Sequence, residues 1–235
     1  GDVHTVNSGY GADNVTISVV GAQSVINTAG GADIVAVADV TDALTLATGD
    51  GNDVVTVTWG AAAAAAIDGG DGSDTLKLLT GDYKSTTLSF TNIEVLDLGG
   101  GNSAINSAQL AGDNAFELTG SAPGRVLTVV DMTAAGTGAI DMSNVTFDIG
   151  AVATTVLTGG AAANVITGSE SADVITGLGG NDTISVGAGV DSVDGGTGID
   201  TITLGAGIDT VKFTDVRLAT DGDTVKSFTV GTDIL

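Results

Sequence analysis

From Gly159 to Lys212 an aliphatic side chain recurs at every ninth residue without interruption: Ile166, Ile175, Ile184, Val193, Ile202 and Val211. Two places before each stands a short polar residue, first Asn164 and then Asp173, Asp182, Asp191, Asp200 and Asp209. The frames read GGAAANVIT, GSESADVIT, GLGGNDTIS, VGAGVDSVD, GGTGIDTIT and LGAGIDTVK. A looser frame, GAVATTVLT from Gly150, precedes them with Thr155 at the sixth place and Leu157 at the eighth. A strand of about three residues with one inward aliphatic, followed by a glycine-rich turn of about six, makes half a coil, and two halves close a coil of about 18 residues. The spacing therefore predicts an all-β solenoid, a right-handed parallel β-helix or β-roll.

In such a coil, positions 18 apart stack. Asp173, Asp191 and Asp209 then line one edge, and Asp182 and Asp200 line the other, with coils separated by about 4.8 Å. Carboxylates that close repel unless a cation lies between them. Calcium fits, because it accepts about 6 to 8 oxygens, backbone carbonyls included, and glycine lets those carbonyls turn inward through positive φ. Zinc would call on His or Cys, and the chain has one histidine, His4, and no cysteine. Magnesium demands a tighter octahedron and tends to keep its waters.

Composition agrees with loops as the seat of the charge. The net charge of −23 comes from 26 Asp and only 3 Glu against 4 Lys and 2 Arg, and Asp is the turn residue and oxygen ligand where Glu is the helix former. Six cations cannot make a phosphate-tracking stripe, so nucleic acid is not an expected partner. No apolar run is long enough to span a bilayer as a helix, and no membrane insertion is expected. The chain opens at Gly1 and stops at GTDIL, and it reads as a fragment of a longer protein.

The pattern Gly-Gly-x-Gly-x-Asp-x-aliphatic-x resembles the RTX nonapeptide family of calcium-binding β-rolls in bacterial proteins exported by type I secretion. GGDGSDTLK from Gly69 and GGTGIDTIT from Gly195 match at every position, and TGDGNDVVT from Thr48 misses only the first glycine. The resemblance implies that each calcium ion is held by sixth-position aspartates of stacked turns together with turn carbonyls. Carried onto this chain, the ligands are Asp173, Asp182, Asp191, Asp200 and Asp209, with carbonyls of the turns around Gly177, Gly179, Gly195 and Thr197. Thr155 and Asn164 replace the aspartate in the first two frames, so their pairs with Asp173 and Asp182 should bind weakly or not at all. Beyond Lys212 the register slips, and Val225 and Phe228 are expected to cap the last coil.

Three segments are expected. Residues 1–80 form an irregular β-roll in which Asp13, Asp33, Asp53 and Asp74, at separations of 20, 20 and 21, line one edge. These four are either a second calcium edge or metal-free turn residues. The Ala61–Ala66 run is expected inside a coil, and Trp59 as a cap or core plug. Residues 81–149 form a β-helix-like segment without calcium turns: LSFTNIEVLDLGG as a strand pair, SAINSAQLAG as a short helix, RVLTVVDMT and GAIDMSNVTFDIG as further strands, and Pro123 with Arg125 in an exposed loop. Residues 150–235 form the RTX roll and its cap.

Catalysis is not expected, since no paired carboxylates beside a basic residue and no Ser-His-Asp set can be drawn from these residues. Two readings of function stand. One is a surface-layer protein, secreted and extracellular, that folds and self-assembles on calcium binding; flanking regions could then meet cell-surface polysaccharide. The other is the calcium-folded stalk or tail of a secreted adhesin or exoenzyme. A third, ice binding, would need flat uniform threonine rows, which Ser192, Asp194 and Lys212 interrupt.

Overall fold

The computed structural model describes residues 4–20, 23–40, 43–59, 64–79, 81–83, 87–99, 102–106, 117–119, 125–130, 139–143, 145–147, 152–214 and 222–235. Every strand pairing among them is parallel, and none of them is helical. Each strand bonds to the equivalent strand one coil away, so the chain winds as a parallel β-solenoid.

Two sheets build the N-terminal coils. One stacks His4–Asn7, Ser24–Asn27, Leu44–Asp50, Ala64–Asp71 and Thr87–Thr91; the other runs from Asn14–Val20 through Ile34–Val40, Val54–Trp59, Thr75–Leu78, Val95–Asp97 and Glu117–Thr119 to Thr146–Phe147. A third sheet starts at Gly81–Asp82 and continues through Ser103–Asn106, Arg125–Val130, Val152–Thr158, Asp173–Thr176 and Ser192–Asp194 to Thr210–Lys212. A fourth stacks Ala139–Asp141, Val165–Thr167, Thr183–Ser185, Thr201–Thr203 and Thr224–Lys226. In the middle of the molecule, one coil visits three sheets: Ala64–Asp71, Thr75–Leu78 and Gly81–Asp82 follow each other in three different ones.

Coil length follows from the number of faces. Ser24 pairs with Leu44, and Val35 with Val55, twenty residues on. Ser103 pairs with Leu127 and Leu127 with Thr155, which are wider intervals. Thr155 pairs with Asp173 and Thr183 with Thr201, eighteen residues on. The narrow coils are those in which the nonapeptide repeats without insertion.

Strand alternation sorts the side chains. In Leu44–Asp50 the inward residues Leu44, Leu46 and Thr48 are buried while Thr45 is exposed; in Thr201–Thr203 only Ile202 is buried. The core is thus a single continuous column from Ile26 to Val211, with Val225 and Phe228 packed partly buried against its end, where a cap was expected.

The middle segment differs from expectation at two points. Ser103–Asn106, within the run expected to hold a helix, is a strand whose Ser103 and Ile105 face inward, because pairing on both sides outweighs local helix preference; residues 107–110 lie outside the described residues. Arg125 opens the strand Arg125–Val130 instead of lying in a loop, and Pro123 lies outside the described residues. The two strands expected in LSFTNIEVLDLGG are present as Thr87–Thr91 and Val95–Asp97, but they lie in different sheets and pair with the preceding coil and not with each other. Ala64–Asp71 takes in the end of the alanine run, with Ala65 buried; residues 61–63 and the Trp59 side chain lie outside the described residues.

Candidate metal centre

The stacked turns place their aspartates in ladders. On one edge of the C-terminal roll, the Asp173 amide donates to Asp191 Oδ1 at 2.9 Å and the Asp191 amide to Asp209 Oδ1 at 3.2 Å. On the other edge, Asn164 donates to Asp182 Oδ1 and Asp182 to Asp200 Oδ1, both at 2.8 Å. Each carboxylate is therefore oriented by the backbone of the coil before it. All five aspartates are at most 2% exposed, in the two alternating edges that the spacing predicts.

At Asp182, Asp191 and Asp209 only half of the carboxylate is accounted for this way. The Oδ2 atoms of Asp182, Asp191 and Asp209 are buried and accept no hydrogen bond. A buried anionic oxygen without a partner costs at least about 1–3 kcal/mol. The turn backbone supplies more oxygen. A Cβ on Gly177 would overlap both Asp182 Oδ2 and the carbonyl oxygen of Gly195 in the next coil, so these two oxygens converge over one glycine. Gly179 bridges Thr197, whose carbonyl accepts from the Gly180 amide at 2.9 Å while its own amide donates to Leu178. At Gly198, with φ +132°, a side chain would strike the Gly180 carbonyl of the preceding coil; the close approach requires glycine there.

These groups are all hard oxygens. No three acidic or imidazole side chains gather at one point among the described residues, so a cation here would complete its shell with carbonyls. That donor set fits calcium, which tolerates mixed carboxylate and carbonyl ligation in number. Electrostatics point the same way. Burial pushes the Asp173 carboxyl up to about 7, and Asp182 and Asp191 up to about 6, with the neighbouring carboxylate of the stack adding to the rise and backbone hydrogen bonds opposing it. A divalent cation among these oxygens removes the penalty and keeps them ionised.

The ladder has defined ends. Asp173 is saturated by donors: the Ser169 amide reaches Oδ2 at 2.8 Å, the Ser169 hydroxyl reaches Oδ1 and Oδ2, and the Thr155 hydroxyl donates to Oδ1. The Thr155 hydroxyl thus stands where its frame loses the aspartate. At the far end the ladder runs past the register slip. The Asp200 amide donates to Asp223 Oδ1 at 2.8 Å, and the Asp209 amide to Asp233 Oδ1 at 3.2 Å. Sequence reasoning assigned neither residue, although Asp223–Lys226 repeats the Asp-Thr-Val-Lys of Asp209–Lys212, and Gly231 and Asp233 keep the fourth and sixth places of a frame.

The N-terminal turns form a ladder of the same kind on the edge joining the first two sheets. The Asp13 amide donates to Asp33 Oδ1 at 2.8 Å, Asp33 to Asp53 at 2.7 Å and Asp53 to Asp74 at 2.8 Å. The Oδ2 atoms of all four are buried without a partner. The turn backbone repeats as well: Gly49 and Gly51 have φ of +95° and +142°, close to the +93° and +132° of Gly196 and Gly198. Burial, with Asp53 and Glu94 nearby, pushes Asp74 up to about 6. One residue here escaped sequence reasoning: Glu94 Oε2 accepts the Asp74 amide at 2.8 Å.

Residues 158–193 and 176–211 match the family model of the RTX calcium-binding nonapeptide repeat, in 4 copies. No curated protein and no solved structure matches the chain. The narrow coils, with their alternating aspartate edges and inward carbonyls, are RTX calcium-binding nonapeptide repeats, and calcium is the ion these repeats bind.

Proposed function

We propose that this chain is a calcium-folded structural component of a bacterial surface layer, secreted, extracellular and self-assembling. Calcium is held along the C-terminal edges by Asp182, Asp191, Asp200 and Asp209, with Asp173 at the margin and carbonyls of the turns at Gly177, Gly179, Gly195 and Thr197. Asp13, Asp33, Asp53 and Asp74 hold calcium along the N-terminal edge. RTX proteins are typically exported by type I secretion, and their β-roll is typically structural and not catalytic. The observation that carries the reading is the presence of carboxylate ladders at both ends of one continuous solenoid, not in a short terminal block. Export unfolded through low calcium, followed by folding outside, suits a chain whose buried carboxylates need a cation.

Between molecules of charge −23, lateral or end-to-end contact is opposed until divalent ions neutralise the facing edges. Negative-stain microscopy and light scattering in millimolar calcium, then in chelator, test this. Ordered arrays that dissolve in chelator are expected. A chain that stays monomeric at high concentration in calcium favours the second reading, a stalk or tail of a secreted adhesin or exoenzyme. The confinement of the family match to residues 158–211 supports that alternative.

A further inference from the structure

We propose a calcium site at the closing rung of the N-terminal ladder, between the Gly69–Asp74 turn and the turn at Asn92–Glu94, with Glu94 serving as its second carboxylate. It rests on the reading that these ladders bind calcium, and it adds a site outside the matched repeats, built on a glutamate that no nonapeptide frame contains.

Three observations carry it. Asp74 is 1% exposed, its Oδ1 accepts the Asp53 amide, and its buried Oδ2 has no partner. That oxygen faces the space over Gly69: a Cβ there would meet Asp74 Oδ2 at 2.7 Å and overlap the Asn92 carbonyl oxygen. The same convergence of a carboxylate oxygen and a next-coil carbonyl occurs over Gly177 in the matched repeats, between Asp182 Oδ2 and the Gly195 carbonyl. In the two preceding turns of the N-terminal ladder the place of Gly69 is taken by Thr28 and Thr48, whose hydroxyls donate to the Thr48 carbonyl at 3.0 Å and the Gly69 carbonyl at 2.6 Å. Gly69 has no hydroxyl to offer at that place.

Among the described residues the surroundings supply anions and no compensating cation. Asp53, Asp68 and Glu94 all raise the Asp74 carboxyl through their charge, and Lys77 is held by Asp97 at 2.9 Å. Asp68 is bound by the Asn92 side-chain amide at 2.7 Å, which fixes the Asn92 turn over the site. Glutamate suits the position because the turn is shorter. Thr91 pairs with Asp68 and Val95 with Thr75, so the chain takes four residues from Thr91 to Val95 where the preceding coil takes seven from Asp68 to Thr75, and the longer side chain makes up the difference to reach the Asp74 amide.

The test is calcium stoichiometry on the whole chain, by equilibrium dialysis with metal analysis, for wild type, Glu94→Gln, Asp74→Asn and Asp191→Asn. Glu94→Gln keeps an acceptor for the Asp74 amide and removes only charge. Each of the first two variants is expected to bind at least one ion fewer, with strand content in saturating calcium unchanged. If either fails to fold, the other gives the same readout. Unchanged stoichiometry in Glu94→Gln and Asp74→Asn, with a loss in Asp191→Asn, overturns this site and leaves the calcium ladders standing. Unchanged stoichiometry in all three overturns the ladder reading itself.

Discussion

The two ends of the solenoid use the same turn and different cores. The N-terminal coil that contains Leu44, Leu46, Val55 and Val57 buries four aliphatic side chains almost completely; the C-terminal coil that contains Ile166 and Ile175 buries two, and the next two coils bury three each, Ile184, Val186 and Val193 and then Ile202, Leu204 and Val211. At about 1.5–3 kcal/mol for each fully buried aliphatic, the wide coil gains a few kcal/mol that the narrow ones lack. Both ladders nevertheless bury carboxylates with unpartnered oxygens. An acidic turn can therefore sit on a column that holds itself together or on one that depends on metal, and inward apolar residues per coil decide which.

The largest expected difference is in chelator. Amides in Thr183–Ser185 and Thr201–Thr203 should lose hydrogen-exchange protection by about a thousandfold or more, the factor set by calcium at about 1,000 times its dissociation constant. Those in Leu44–Asp50 and Val54–Trp59 should keep most of theirs. Equal loss at both ends would erase the comparison, since the wide core would then count for nothing.

Next in size is the ranking within the narrow roll. Asp191 accepts the Asp173 amide and donates its own to Asp209, so it belongs to two rungs, whereas Asn164 is neutral and its side-chain oxygen is already bound by the Gly160 amide at 2.7 Å. Asp191→Ala should raise the calcium midpoint for folding by about 10–100-fold. Asn164→Ala should cost about 1 kcal/mol, a shift of several-fold. A calcium titration followed by circular dichroism separates them, and equal midpoints would mean that the eighteen-residue stacking does not set affinity.

The pH response should change sign with calcium. Asp173 at about 7 and Asp182 and Asp191 at about 6 stand above their ordinary value of 3.8, so in chelator these groups favour the fold when protonated. That contribution is complete below the unfolded value and is lost as pH rises through about 6 to 7. The metal-free roll should thus show more strand at pH 5 than at pH 8. In calcium the carboxylates must be ionised, so the calcium midpoint should instead rise as pH falls, by up to about tenfold per unit for each proton displaced. Circular dichroism across pH in both media reads the two signs. A chelated roll that strengthens with rising pH would show that the buried carboxylates are not the destabilising groups.

The smallest effect is expected at the one ion pair found among the described residues of the wide coils. Lys77 and Asp97 face each other across paired strands, with Lys77 35% exposed, so Lys77→Ala should cost less than about 1 kcal/mol. Thermal unfolding in saturating calcium measures it. A larger loss would mean that outer-face pairs, not the core column, hold the N-terminal coils.

The nonapeptide period alone determined the parallel solenoid, the alternation of Asp173, Asp191 and Asp209 with Asp182 and Asp200, the inward aliphatic column and the calcium-binding class. Each of these follows from local repetition: when every unit obeys one rule, the stacking of units adds no freedom. Tertiary structure decided what lies where the period breaks. Asp223 and Asp233 reach the ladder across an insertion, 23 and 24 residues after Asp200 and Asp209, so their spacing in sequence no longer equals the spacing along the stack; Glu94 keeps the twenty-residue interval from Asp74 but stands in a turn that has lost the glycine-aspartate frame. Ser103–Asn106 is a strand because strands on both sides offer it partners that lie more than twenty residues away. Coil length in the middle segment is set by the number of sheets a coil visits, a property of the neighbouring coils that no single frame carries.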